Sequence, residues 1–383
     1  MKRASGRLSV GFLYDDSLDK TDGVAQYVKN LGQWLSSQGH HVFYMVGETN
    51  LRQWAGGPIY SLSKNQKVIF NGNFVGTPLP ASRRRIKQVL QKERPDILHV
   101  QVPYSPFMAG RIIAAANPET TVVGTFHILP TNVLVRLGSK LLRLFYLHTL
   151  RRFSRIVSVS QPAADFARQS LGINSEVSSN VVELDKFKQT KVQPRPNHIV
   201  FLGRLVKRKG CEELLQAFAL LRTKVPSAKL SIAGDGPQRA KLEAIVKEEK
   251  IESSVKFLGF ISEADKPDLL ASAQIACFPA LSGESFGIVL IEAMAAGAGV
   301  VIGGNNPGYA SVLGERPETL VEPSDSLLFA EQLEKFMTNT ELVQDIHSWQ
   351  QEHVKRYDIE VVGPKILEIY LQAIAKRQQT IDN

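Results

Sequence analysis

Cysteine is scarce in this chain: two residues, Cys211 and Cys277, among 383. They stand in unrelated contexts. Neither a disulfide framework nor a cysteine-based zinc site can be built from them, and they fit a reducing compartment. Long apolar runs are also missing. The longest, Ser285 to Ile302, is broken by Glu292 and holds three glycines, so it reads as a buried helix followed by a strand rather than a membrane span. The apolar stretch Leu8–Tyr14 stops at Asp15-Asp16, too short for a signal-peptide core and without a small-residue cleavage site, which points to the cytoplasm. There is no Gly-x-x-x-x-Gly-Lys-Ser/Thr or His-Glu-x-x-His, so nothing marks an ATPase or a zinc protease. No metal site is expected. Basic motifs interleaved with aromatics are absent, which sets nucleic acid aside as a partner.

What is present is an α/β pattern. The length suits two domains rather than one core. Strands are expected at Leu8–Tyr14, His41–Val46, Ile97–Gln101, Thr121–Phe126 and Ile156–Val159, alternating with helices. The first helix carries Val24, Tyr27, Val28, Leu31 and Leu35 on one face and ends before Gly39. Residues 50–80, rich in Gly, Asn and Pro, read as irregular with short strands. The alternation restarts with strands at His198–Leu202, Lys229–Ala233, Val255–Leu258, Ile275–Phe278 and Val300–Ile302, and a helical pattern fills 324–377. Repeated βα units imply parallel sheets with helices on both faces, hence two Rossmann-like domains facing across a cleft. The polar, proline-containing segment 188–197 reads as the linker. The domains are therefore set at 1–190 and 191–358, with 359–383 as a C-terminal helix crossing back to the first. Ligands of such sheets bind beyond the C-terminal ends of the strands.

Three segments stand at those ends. The first is Gly283–Gly297, which follows the strand Ile275–Phe278 and opens a helix. Its Ser285, Phe286, Gly287 and Ile288 lie where helix N–H groups are unpaired, a ready phosphate site. Gly287 is expected to clear space for a ligand. Glu284 and Glu292, eight residues apart, would be separated by about 12 Å on a helix, suiting the sugar and the ribose of a sugar nucleotide. Two exposed glutamates on an ordinary helix are the alternative, weakened by the apolar neighbours of Glu292. The second segment is Gly203-Arg204 to Lys209-Gly210: Arg204 ends a strand, Lys209 precedes a helix, and two cations there can neutralise a pyrophosphate. The third is Thr125-Phe126-His127, with His127 at a strand end. Gly234-Asp235-Gly236-Pro237 lacks the third glycine of a dinucleotide fingerprint and reads as a turn.

As a set, Asp22-Gly23-Val24, Gly203-Arg204 to Lys209-Gly210 and Glu284 to Glu292 resemble the retaining GT-B glycosyltransferases of family 4. Thr125-Phe126-His127, Asp96-Ile97-Leu98-His99, Gly283–Gly297 and Arg356-Tyr357-Asp358 are most similar to its phosphatidylinositol mannosyltransferase branch. The resemblance implies a nucleotide-sugar donor, GDP-mannose first, as a substrate rather than a bound cofactor. A divalent cation, where one is used, would have no protein ligands. Arg204 and Lys209 would hold the pyrophosphate, Glu284 the sugar and Glu292 the ribose. His127 would face the reacting sugar, and Gly23 would bring a backbone amide to the donor phosphate. The sugar would be transferred with retention and without an obligatory protein nucleophile. Where the branch has Gly-Gly-Val-Gln, this chain reads Asp22-Gly23-Val24-Ala25, with Gln26 one place later.

Residues 1–195 hold 26 Lys and Arg against 12 Asp and Glu, so the positive charge of the chain lies in its first half and calls for an anionic partner. Arg83, Arg84, Arg85 and Lys87 open one amphipathic helix; Arg136, Lys140 and Arg143 line another pattern in 133–152. Both suit an anionic membrane surface, or the solvated face of a buried helix. The expected activity is hexosyl transfer to a lipid-linked or other membrane-associated acceptor, at the inner face of the plasma membrane. The alternatives are a soluble enzyme of the same family using a UDP-sugar and a small or oligosaccharide acceptor, and a catalytically silent binding module.

Overall fold

The computed structural model describes residues 6–20, 22–70, 73–129, 146 and 148–382, and the chain divides into two compact units. The first comprises 1–181 together with 359–383; the second is Val182–Asp358. The division falls before the polar segment 188–197, because the short helix Leu184–Lys188 already packs on helices of the second unit.

In the first unit the elements run β1 (Ser9–Tyr14), α1 (Gly23–Ser37), β2 (His41–Val46), β3 (Gln53–Trp54), β4 (Gly57–Ser61), β5 (Asn65–Phe70), β6 (Asn73–Pro78), α2 (Arg83–Glu93), β7 (Ile97–Val102), α3 (Ala109–Ala115), β8 (Thr121–Phe126), β9 (Phe153–Ser158), α4 (Gln161–Phe166) and β10 (Glu176–Val177). Among the described residues the sheet order is β10-β9-β8-β7-β1-β2-β4-β3, parallel except for β3 against β4. Strands β1, β7 and β8 are buried at every position, as strands covered on both faces must be. The stretch 50–80 holds short strands, as expected: β3, β4 and an antiparallel hairpin of β5 with β6.

The second unit runs α5 (Leu184–Lys188), β11 (Arg195–Leu202), α6 (Cys211–Lys224), β12 (Lys229–Ala233), α7 (Arg239–Glu248), β13 (Val255–Gly259), α8 (Lys266–Ala271), β14 (Ala273–Phe278), α9 (Ile288–Ala296), β15 (Val300–Gly304), α10 (Pro307–Leu313), β16 (Leu320–Val321), α11 (Ser326–Thr338) and α12 (Thr340–His353). Its described strands are ordered β13-β12-β11-β14-β15-β16, all parallel. Leu214, Leu215, Phe218 and Leu221 of α6 lie in the core with Phe329, Leu333 and Phe336 of α11. The last helix, α13 (Ile359–Asp382), returns to the first unit, where Ile359, Val362, Ile366, Ile369, Tyr370 and Ala373 are buried with α1 and the sheet. Both units are thus doubly wound Rossmann-like sheets. No described helix is long and apolar enough to cross a membrane.

Candidate active site

In each sheet the chain leaves its first strand to one side and later returns to the other. This makes switch points at β1/β7 in the first unit and β11/β14 in the second. Ligand sites of such sheets open at the C-terminal ends of those strands.

In the second unit the loops after β11 and β14 are drawn together there. Gly210 has φ +72, and a Cβ on it would stand 1.9 Å from the Pro279 carbonyl oxygen, so only glycine fits. Leu281 N–H donates to the Arg208 carbonyl at 2.8 Å. This places Glu284 against two cations: Lys209 Nζ at 2.8 Å and the guanidinium of Arg208. All three side chains are largely buried. Burial pushes the Glu284 carboxyl up, but Lys209 and Arg208 outweigh it and hold the group below the usual carboxylate range. Arg204 is half-buried two residues beyond β11.

The helix α9 starts at Ile288, with Gly287 before it at φ +115. Glu284 therefore lies in the loop and not on the helix, and the 12 Å spacing argument does not apply. Gly287 is also required for a different reason than ligand access. A Cβ there would meet Tyr309 Cδ1 at 2.7 Å within the unit's own core. Phe286 is buried with its ring edge-on to Tyr357, so only its backbone borders the loop; Ser285 is half-buried beside it. Glu292 is buried, not exposed as on an ordinary surface helix. Its carboxylate accepts from Lys266 Nζ of α8 at 2.8 Å. Burial raises the Glu292 pKa; burial draws Lys266 down, but Glu292 and Glu263 together lift it above its ordinary value. Arg208 and Lys266 are the partners of Glu284 and Glu292 that sequence reasoning passed over. Arg208 was masked by a run of cations, and Lys266 becomes visible only when α8 meets α9. The motif Gly234–Pro237 is a loop that leads into a turn at Pro237-Gln238, and Gly234 passes the Gly203 carbonyl too closely to carry a Cβ.

In the first unit His127 follows β8 and is buried. Its Nε2–H donates to Gln101 Oε1 of β7 at 2.7 Å, and the Tyr27 ring of α1 packs edge-on at 5.1 Å. Burial lowers its pKa to about 3, so the ring is neutral at physiological pH. Beneath it His99, also at about 3 through burial, bonds Thr125 Oγ1 and Tyr370 Oη, each at 2.6 Å. Gly23 is the first residue of α1, but the cap above it is filled by this chain's own carboxylate. Asp22 accepts from Val24 N–H and Ala25 N–H at 3.0 Å each. Arg83, Arg84, Arg85 and Lys87 are exposed on α2, while Ile86 and Val89 face inward. Arg136, Lys140 and Arg143 lie outside the described residues. Among the described residues no three or more His, Cys, Asp and Glu side chains are grouped to hold a metal ion.

Comparison with known proteins fits this arrangement. The sequence model of Glycosyltransferase Family 4 matches residues 21–186, and that of Glycosyl transferases group 1 matches 182–352. The phosphatidyl-myo-inositol mannosyltransferase of Propionibacterium freudenreichii is 30% identical over 316 residues, covering 77% of this chain and 76% of that one. The protein of the same name from Mycolicibacterium smegmatis is 29% identical over 373 residues, covering 95% and 93%. Among solved structures, sucrose-phosphate synthase from Thermosynechococcus elongatus superposes with a TM-score of 0.76 at 19% identity, covering 96% and 99%. HepE from Anabaena in complex with UDP gives 0.76 at 18%, covering 95% and 100%. The sheets, the loops at their switch points and these relatives define a glycosyltransferase. The chain belongs to glycosyltransferase family 4 and is similar to its phosphatidyl-myo-inositol mannosyltransferase branch.

Proposed function

We propose that this enzyme transfers mannose from GDP-mannose, with retention, to a lipid-linked acceptor at an anionic membrane surface in the cytoplasm. The observation that carries the donor site is the clustering of Glu284, Arg208 and Lys209 at the β11/β14 switch point, with Glu292 buried nearby in sequence on α9. Arg204 and Lys209 neutralise the diphosphate leaving group, Glu284 contacts the sugar and Glu292 the ribose. The backbone of 285–288 borders the phosphates. The bond from the anomeric carbon to the diphosphate oxygen breaks, the acceptor oxygen attacks the same face, and the leaving phosphate takes the acceptor's proton. The protein then contributes positioning and charge stabilisation. His127, neutral, contacts the reacting sugar as a hydrogen-bonding group. The similarity to mannosyltransferases of phosphatidyl-myo-inositol across nearly the whole chain favours mannose and a lipid acceptor.

The membrane reading rests on α2. Three arginines occupy its first turn, with no acidic residue there, against the positive end of the helix dipole. Helix stability does not call for them; an anionic partner does. The loops beside this end expose Leu79 and Phe107, joined by the bond from Ala81 N–H to the Phe107 carbonyl at 3.1 Å. At about 1 kcal/mol per basic residue near an anionic surface, four suffice for reversible attachment. The second reading, a soluble enzyme using a UDP-sugar, draws on the UDP in the Anabaena structure and on Ala25 in place of the branch's glutamine. One experiment separates them. Labelled GDP-mannose and UDP-glucose are offered with phosphatidylinositol vesicles or with soluble sugars, and vesicle co-sedimentation is followed for wild type and for Arg83, Arg84, Arg85 and Lys87 changed to Glu. Mannosyl transfer into lipid, with binding to anionic vesicles lost in the variant and by about 1 M salt, is expected. Transfer from UDP-glucose alone to a soluble sugar, or equal binding to neutral vesicles, would overturn it.

A further inference from the structure

The polar side chains behind His127 form a ladder on one face of two central strands. In the register of β7 with β8, Gln101 pairs Thr125, so His99, Gln101, Thr125 and His127 share one face of the sheet. His99 bonds Thr125 at 2.6 Å and His127 bonds Gln101 at 2.7 Å, forming two successive rungs. Tyr27 closes over them from α1, its Oη 3.2 Å from Thr125 Oγ1 and its ring edge-on to both imidazoles. A ladder kept only for structure would close on itself. This one leaves a donor open: the side-chain Nε2 of Gln101 is buried without a hydrogen-bond partner among the described residues. A buried unpaired donor is costly, and this one lies near the C-terminal end of the strand, where ligands of such sheets bind.

We propose that Gln101 is a positioning residue that holds His127 as the Nε2–H tautomer and presents its own free amide N–H to a ligand oxygen. With Nε2–H committed to the Gln101 carbonyl, the lone pair of His127 is on Nδ1. The neutral imidazole then accepts a hydrogen bond while the neighbouring amide donates one. An acceptor beside a donor matches a hydroxyl, which does both. The chemical class recognised is thus a sugar hydroxyl rather than a phosphate. This hydroxyl contact rests on the reading that His127 touches the transferred sugar; the tautomer does not.

The test is histidine-selective 15N NMR, with His127 assigned through His127→Asn, on wild type, Gln101→Leu and Gln101→Glu. The wild type should show a neutral Nε2–H ring that does not titrate between pH 5 and 8. Leucine removes the acceptor, and the Nε2–H signature should be lost. Glutamate keeps the acceptor, so the tautomer should stay, while its charge lifts the histidine pKa into the window. The titratable groups packed on His127 are His99 and Tyr27, and neither supplies that charge. Both variants lack the amide donor, and kcat/KM should fall about tenfold or more, the scale of one lost hydrogen bond. An Nδ1–H wild type, an unchanged tautomer in Gln101→Leu, or full kcat/KM in both variants would overturn the assignment. Full turnover in His127→Asn with the Nε2–H signature present would sink the sugar contact of the proposed function and leave the tautomer assignment standing.

Discussion

Lys266→Met isolates the charge pair beneath the proposed ribose site. Lys266 Nζ and Glu292 Oε1 are 2.8 Å apart, and each side chain is a tenth exposed or less. Lys266 also meets Glu263 at 2.8 Å and lies 5.8 Å from the Phe187 ring centroid, but Glu263 is half-exposed and water can solvate it. Glu292 has no such recourse. Removing one partner of a buried pair costs about 3–5 kcal/mol, because the other charge stays desolvated. For a unit the size of Val182–Asp358, each kcal/mol moves Tm by about 2–4 °C, so the single variant should melt roughly 6–20 °C lower. The double variant Lys266→Met/Glu292→Leu replaces the pair with apolar groups and should regain most of the loss. The pH dependence has a fixed sign. Burial already raises the folded pKa of Glu292, and losing Lys266 raises it further. A carboxyl with a raised folded pKa destabilises at high pH, and the penalty fades as pH falls toward the unfolded value of about 4.3. The Lys266→Met deficit should therefore be larger at pH 8 than at pH 5. Scanning calorimetry at both pH values reads all three variants. A single-variant loss below about 1 kcal/mol, a double variant no better than the single, or a deficit that grows on acidification would refute the reasoning.

Two further outcomes follow from the same structure. Arg204→Ala or Lys209→Ala should lower turnover by roughly 100-fold or more, the scale for a lost transition-state charge partner, and steady-state kinetics on folded protein checks it; unchanged kcat removes the diphosphate role. His99 is buried with its pKa lowered to about 3, against about 6.5 unfolded, so its stabilisation is complete above pH 6.5 and is lost as pH falls toward 3. Between pH 6.5 and 5 that amounts to about 2 kcal/mol, so the stability gap between wild type and His99→Gln in urea should narrow by that much; a constant gap would exclude the linkage.

The strands were legible where both faces are buried. Val10–Tyr14, Ile97–Val102 and Thr121–Phe126 are runs that only a covered parallel sheet can use. Among the pieces at 53–78, β3 has only two residues, while β5 (Asn65–Phe70) and β6 (Asn73–Pro78) are as long as β1 but carry Asn, Gln, Lys, Gly and Pro in place of a continuous apolar run. The residues proposed for the site, Arg204, Lys209, Glu284 and His127, were chosen because they follow strands of the two sheets. Their partners were not. Arg208, Lys266 and Gln101 gain meaning from contacts made 76, 26 and 26 residues away, which no local pattern encodes. The helix-spacing argument for Glu284 and Glu292 failed for one reason. Gly287 adopts a left-handed conformation, and α9 begins after it at Ile288, four residues beyond Glu284. At 181–182 two buried valines carry the chain from one unit to the next, with no proline, glycine or charge run to mark the crossing.

The return of α13 bears on how this protein is made. Chain elongation at about 5–20 residues per second supplies all of the second unit before the ribosome reaches Ile359. Until then the first sheet has no cover at the places where Val362, Ile366, Ile369 and Tyr370 belong, and His99 has no Tyr370 to bond. The half that is synthesised first is therefore the half that finishes last. For roughly ten to thirty seconds of translation its apolar flank stands open, in reach of chaperones, whereas the later half can close its own core as soon as Asp358 has been added.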